Sequence, residues 1–88
     1  MLLPQKKKAL AALKRINGLS KRMEEMLESD VYCGKVLELG LSMKGHVEYI
    51  QAEILESHLH TCAPKKLGSR DEKKFIAELL KVIGLSTR

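Results

Sequence analysis

Residues 31–62 read VYCGKVLELGLSMKGHVEYIQAEILESHLHTC, and this stretch decides how the rest of the chain is read. It contains no proline, and its leucine, glutamate and lysine content favours a helix from about Val31 to His60. Its apolar residues Val36, Leu37, Leu39, Leu41, Met43, Val47, Ile50, Ile54, Leu55 and Leu59 are spread too widely around such a helix to form one stripe. The helix is therefore expected to be central, with neighbours on several sides.

Working outward, Gln5 to about Glu28 has few breakers. Leu10, Leu13, Ile16, Met23 and Leu27 recur mostly at three- and four-residue spacing, leaving Lys6, Lys7, Lys14, Lys21 and Arg22 for the wetter sides. Ser29 or Asp30 is the expected cap of the second helix. Beyond it, Pro64 cannot continue an interior hydrogen-bond ladder, so Lys65-Lys66-Leu67-Gly68-Ser69 is expected to connect to a short third helix. That helix runs from about Arg70 to Ile83, capped by Ser69 or Asp71 and stopped at Gly84, with Phe75, Ile76, Leu79, Leu80 and Ile83 inward. The expected fold is all-α, with two long helices and one short one in a single domain spanning residues 1–88.

With 88 residues, no tryptophan, one phenylalanine and two tyrosines, a monomer would bury only roughly 60–65% of its unfolded surface. Assembly into an oligomer is expected. Two cysteines can form at most one bridge, which excludes a disulfide-dense secreted scaffold. Met1-Leu2-Leu3-Pro4 runs into Gln5-Lys6-Lys7-Lys8 with no apolar run behind it, so neither a signal peptide nor a membrane partner is expected. The expected location is the cytoplasm.

Charge is unevenly spread. Residues 1–22 carry seven Lys/Arg and no Asp/Glu, residues 23–62 carry two basic against eight acidic residues, and residues 63–88 carry seven basic against three acidic. Basic ends around an acidic middle can steer a polyanion onto one surface of an assembly, although a solvated lysine-rich helix start has the same composition.

The strongest chemical feature is Cys33 with His58 and Cys62. Four positions separate His58 from Cys62, so a helix presents imidazole and thiolate one turn apart on one face. Cys33 lies 25 positions before His58, about 37 Å away along a continuous helix. One chain cannot close this site, but two antiparallel copies of the helix can. Pairing Cys33 with the His58–Cys62 turn puts the crossing near residues 46 and 47, close to the small Gly40 and Gly45. Twofold symmetry then makes two sites, each with Cys33 from one chain and His58 plus Cys62 from the other. Two sulfurs and one nitrogen suit a soft ion such as Cu(I), whereas zinc normally seeks a fourth ligand. Tyr32 adjoins one ligand, and Glu78 could accept a hydrogen bond from the free nitrogen of His58 or simply be a solvated acid among Lys73, Lys74 and Lys81.

These residues resemble the copper-sensing branch of the CsoR/RcnR/FrmR family of repressors. The similarity extends over nearly the whole chain, through Leu13-Lys14-Arg15-Ile16-Asn17-Gly18, Glu28-Ser29-Asp30-Val31-Tyr32-Cys33 and Glu56-Ser57-His58-Leu59-His60-Thr61-Cys62. The resemblance implies antiparallel four-helix dimers assembled as a dimer of dimers, Cu(I) ligands at Cys33, His58 and Cys62, and outer positions at Tyr32 and Glu78. It also implies a non-enzymatic repressor that leaves operator DNA when Cu(I) binds. The nickel/cobalt branch carries an amino-terminal histidine absent before His46 here, the persulfide branch uses two cysteines without a role like that of His58, and the formaldehyde branch pairs one cysteine with an amino-terminal proline.

Against the family pattern, Ala12 stands where arginine is common, Leu19 where glutamine is, and Tyr49 at a basic or polar position of the second helix. Lys14, Arg15, Lys21 and Lys44 remain as phosphate contacts, with the Lys6-Lys7-Lys8 run. The departures motivate an alternative, a helical oligomer that buffers or transfers Cu(I) without specific DNA binding. A redox switch between Cys33 and Cys62 of opposing chains is a third reading. No paired acid and base with a substrate cleft points to an enzyme.

Overall fold

The computed structural model describes residues 1–84 as four helices: α1 (Leu3–Glu28), α2 (Cys33–Thr61), α3 (Ala63–Lys66) and α4 (Glu72–Val82). Pro4 lies in the first turn of α1, where its missing N–H leaves no bond unmade. The other end of α1 closes in a Schellman motif: Val31 N–H donates to Met26 O at 3.0 Å and Asp30 N–H to Leu27 O at 3.3 Å. This requires a left-handed residue, and Asp30 takes the role at φ 52°. Ser29 and Asp30 thus end the first helix, whereas the second was expected to begin with one of them as its cap. Tyr32 is the N-cap of α2, and its side chain makes no capping bond.

The α1–α2 pair is an antiparallel hairpin. Its open end is pinned where the Leu2 N–H donates to Ser57 Oγ at 2.9 Å. Gln5, Ala9, Ala12, Ile16, Leu19, Met23 and Met26 are the covered positions of α1, and Val36, Leu39, Met43, His46, Ile50, Glu53 and Ser57 form a matching row on α2. Steps of three and four residues keep each row on one face, as in a coiled-coil seam. Small Ala9 and Ala12, 9% and 5% exposed, let the backbones approach. Leu10, Leu13 and Leu27, which the spacing included in the apolar series of α1, are exposed.

After α2 the chain does not go straight into a connection. Cys62 stays in the right-handed helical region and leads into the single turn α3, where Pro64 falls within the first two positions. A proline there loses no helical bond, so the expected breaker starts a helix instead. The turn to α4 is held by Ser69 Oγ, which accepts from Asp71 N–H at 3.2 Å, and by Glu72 Oε1, which accepts from Gly68 N–H at 3.1 Å. Asp71 stands at the N-cap of α4 but its side chain makes no capping bond, and Gly84 at φ 83° follows the helix end as the spacing predicted. Phe75 is buried, Leu79 and Leu80 are half-buried, and Ile76 and Ile83 are exposed although expected inward.

The chain measures 55 × 34 × 14 Å with a radius of gyration of 17.3 Å; a compact chain of this length would have about 12 Å. Its smallest dimension is little more than one helix diameter, so the hairpin is a single layer. Domains need two layers around a core. The exposed area of 7098 Å² exceeds by roughly 1900 Å² the ~5200 Å² normal for a folded monomer of this mass. Large apolar residues remain uncovered along the α2 edge away from α1, including Leu37 and Leu41 at 69% exposure each.

Candidate metal centre and basic surface

The two ends of α2 hold the two halves of the candidate centre. At its start Cys33 is an exposed free thiol. It lies on the rim of a recess of about 260 Å³, lined also by Leu27, Val31, Val36 and Leu37. Tyr32 precedes it with its ring folded back over Gly34, where a Cβ would stand 2.5 Å from Tyr32 Cε2. The missing side chain at Gly34 is what leaves room for the ring there.

At the other end, Cys62 N–H donates to His58 O at 2.9 Å, which makes the two residues successive turns of one face. Cys62 is a half-buried free thiol. Thr61 Oγ1 lies 3.6 Å from its sulfur and donates to Ser57 O at 2.8 Å, which fixes the hydroxyl beside the thiol. The His58 ring packs on Phe75 of α4, with centroids 5.2 Å apart and planes inclined by 35°. The sequence reading missed both Thr61 and Phe75. For Phe75 the signal was available, since the chain's one phenylalanine sits on the apolar side of the last helix.

Glu78 lies one turn beyond Phe75. It lines an open recess of about 150 Å³ with Lys66, Asp71, Lys74 and Phe75.

Cys33–Thr61 is one unbroken helix of 29 residues, so Cys33 and Cys62 are about 43 Å apart along it. The structure brings His58 and Cys62 together and keeps Cys33 away from both. Among the described residues of one chain no three His, Cys, Asp or Glu side chains cluster as a metal site. The donor set nonetheless fits a soft cation, with two free thiols and one oriented imidazole.

The basic residues fall on different sides of the hairpin. Arg15 lines a groove between α1 and α2 with Lys8, Ser42, Gly45, His46 and Tyr49. Lys14 and Lys21, seven residues apart and exposed, share the outer side of α1. Lys44 lies in the same row of α2 as Leu37 and Leu41. Ala12 is 5% exposed and Leu19 half-buried, both in the α1–α2 seam, while Tyr49 is open at 45%. No helix among the described residues is long and apolar enough to cross a membrane.

The described residues form a thin all-helical chain with His58 and Cys62 at one end of a long helix and the Cys33 thiol at the other. Residues 5–84 match the family described as metal-sensitive transcriptional repressors, and the chain belongs to that family. Membership makes it a regulator and not an enzyme. Among its relatives is the copper-sensing transcriptional repressor CsoR of Bacillus subtilis (strain 168), 32% identical over 76 residues that cover 86% of this chain and 75% of that protein. An uncharacterized protein from the bioA 5′ region of Serratia marcescens is 38% identical over 53 residues, covering 60% of this chain and 58% of that protein. No solved structure matches.

Proposed function

We propose that the chain is a Cu(I)-responsive transcriptional repressor whose apo form binds operator DNA and whose metal sites lie between subunits. The observation that carries this reading is the placing of His58 and Cys62 at one end of an unbroken α2 and of Cys33 at the other. Antiparallel pairing of two α2 helices makes Cys33 of one chain and His58 with Cys62 of the other the ligands of each of two sites. Cu(I), when bound, would supply a soft acceptor that Cys33 of one chain and His58 with Cys62 of the other would hold. The same pairing covers Leu37, Leu41 and Leu59, which supports an antiparallel four-helix dimer, and the remaining exposed Ile76, Val82 and Ile83 of the α4 end leave apolar area for a dimer of dimers.

The chain's own residues supply the coupling. The His58 ring is in contact with Phe75, so a ring that changes position on becoming a ligand would carry α4 with it. Tyr32 covers the first turn beside Cys33, and Glu78 is within one turn of Phe75 to orient the imidazole after a small shift of α4. Lys14, Arg15 and Lys21 are the phosphate contacts and give affinity that falls with salt, whereas Lys44 shares the α2 row that the proposed pairing covers. A tenfold loss of DNA affinity on metal loading requires about 1.4 kcal/mol of coupling.

One observation favours the second reading, a Cu(I) buffer or carrier: Ala12 and Leu19 turn to the α1–α2 seam as apolar side chains with no group to bond a phosphate or a base. The two readings separate in a DNA-binding titration of reduced protein at fixed salt, with and without one Cu(I) per chain, repeated for Cys33→Ala. The repressor reading expects at least tenfold weaker binding on copper addition in the unsubstituted protein and no change in the variant. Weak, nonspecific binding in both metal states supports the buffer.

A further inference from the structure

A line of hydrogen bonds runs from the His58–Cys62 turn to the amino end of α1. Thr61 Oγ1 stands 3.6 Å from the Cys62 sulfur and donates to Ser57 O at 2.8 Å, and Ser57 Oγ accepts from the Leu2 N–H at 2.9 Å. Ser57, at 1% exposure, is the most deeply buried of the described residues, so both bonds are anchored on a residue closed to water. Among the described residues the Leu2–Ser57 bond is the one hydrogen bond that crosses the α1–α2 seam. One turn further in, Gln5 Oε1 and Glu53 Oε2 are buried without a hydrogen-bond partner, and polar groups left so weaken the packing around them. The open end of the hairpin is therefore its loosely held end, and it hangs on Ser57.

The Thr61 hydroxyl has one hydrogen and two acceptors within reach. While Cys62 is a free thiol, its own S–H can serve the hydroxyl oxygen, which leaves the Thr61 hydrogen for Ser57 O. A sulfur that holds a soft cation has given up its hydrogen to solvent and offers only lone pairs. We propose that Thr61 is a two-position switch, donating to Ser57 O when Cys62 is free and to the Cys62 sulfur when it is a ligand, and that Ser57 passes the setting on to the Leu2 end of α1. The proposal rests on the reading of Cys62 as a Cu(I) ligand and deepens it. Thr61 then strengthens the site as a positioning residue, and the segment that carries Lys6, Lys7 and Lys8 answers to the metal turn.

The test uses reduced, full-length, isotope-labelled protein, with Cu(I) affinity read by chelator competition and the Leu2 amide read by NMR. Thr61→Val, which keeps the shape and removes the hydroxyl, is expected to hold Cu(I) about tenfold more weakly, and Thr61→Ser to restore the affinity. One Cu(I) per chain is expected to shift the Leu2 amide signal in the unsubstituted protein and in Thr61→Ser, and to leave it in place in Thr61→Val. In Ser57→Ala the Leu2 signal is expected to be displaced before copper is added and to respond no further. Undiminished Cu(I) affinity in Thr61→Val, or a Leu2 signal that copper moves equally with and without the hydroxyl, overturns the switch. Neither readout involves DNA, which separates the switch from operator binding. If the chain takes up no Cu(I), the metal reading fails on its own account. Capping the Cys62 sulfur with methyl methanethiosulfonate in Cys33→Ala, which replaces its hydrogen by a methylthio group, then decides the switch. A Leu2 shift on capping that Thr61→Val abolishes upholds it, and no shift overturns it.

Discussion

The two long edges of α2 differ in what covers them. On one edge Val36, Leu39, Met43, His46, Ile50, Glu53 and Ser57 meet a row of α1 at the same spacing, and all are at least half-buried. The other edge carries Leu37, Leu41 and Leu59 with Cys33 and Cys62 at its ends, and the leucines stand open. Both edges are apolar enough to want a partner, but only one finds it within the chain. The difference teaches why the proposed reading asks one second surface both to complete the core and to complete the metal site. Assembly and ligand sharing are then two consequences of one uncovered helix edge.

The strongest way to break that comparison is to charge the open edge. Leu37→Glu with Leu41→Glu is expected to remove about 4–6 kcal/mol of dimer stability, seen in sedimentation equilibrium as monomer at concentrations where the unsubstituted chain is assembled. Persistence of the assembly would mean that another surface holds it together. A smaller loss is expected at the link between α4 and the His58–Cys62 turn. Phe75 is 5% exposed and packs on His58, so Phe75→Ala is expected to lower stability by about 3–4 kcal/mol and to weaken the effect of Cu(I) on DNA affinity more than Cu(I) binding itself. The smallest effect sharpens the comparison from a neutral site. Gly18 has nothing within 4 Å of its absent Cβ, so Gly18→Ala is expected to raise stability by about 0.5–1 kcal/mol in thermal unfolding and leave the oligomeric state untouched.

Much of this was legible in the chain itself. The composition of residues 31–60 announced a long helix and the His58–Cys62 spacing a shared face, and the structure has both, but within the chain α2 is covered along one edge by α1 and at its end by α3, not by neighbours on several sides. Assignment of stripes to partners was not legible. Leu10, Leu13 and Leu27 repeat as well as Ala9, Ala12 and Met26, and periodicity alone does not say which row meets α2. Small alanines won because close backbone approach was available there. Pro64 misled for a local reason, since a proline that breaks a helix interior is harmless in a first turn, and it stands in the first turn of α3. The contact of Phe75 with His58 depends on the turn through Gly68 and Ser69, whose geometry no spacing rule specifies.

The central claim is that each metal site takes Cys33 from one chain and His58 with Cys62 from another, and complementation between two broken chains tests it most directly. Cys33→Ala and Cys62→Ala chains, co-expressed with different tags and purified as the mixed dimer, would hold one intact site and one that lacks both thiols. Competition against a colorimetric Cu(I) chelator is expected to find one tightly held Cu(I) per mixed dimer and none in either parent. A mixed dimer that holds copper no better than its parents would contradict the account.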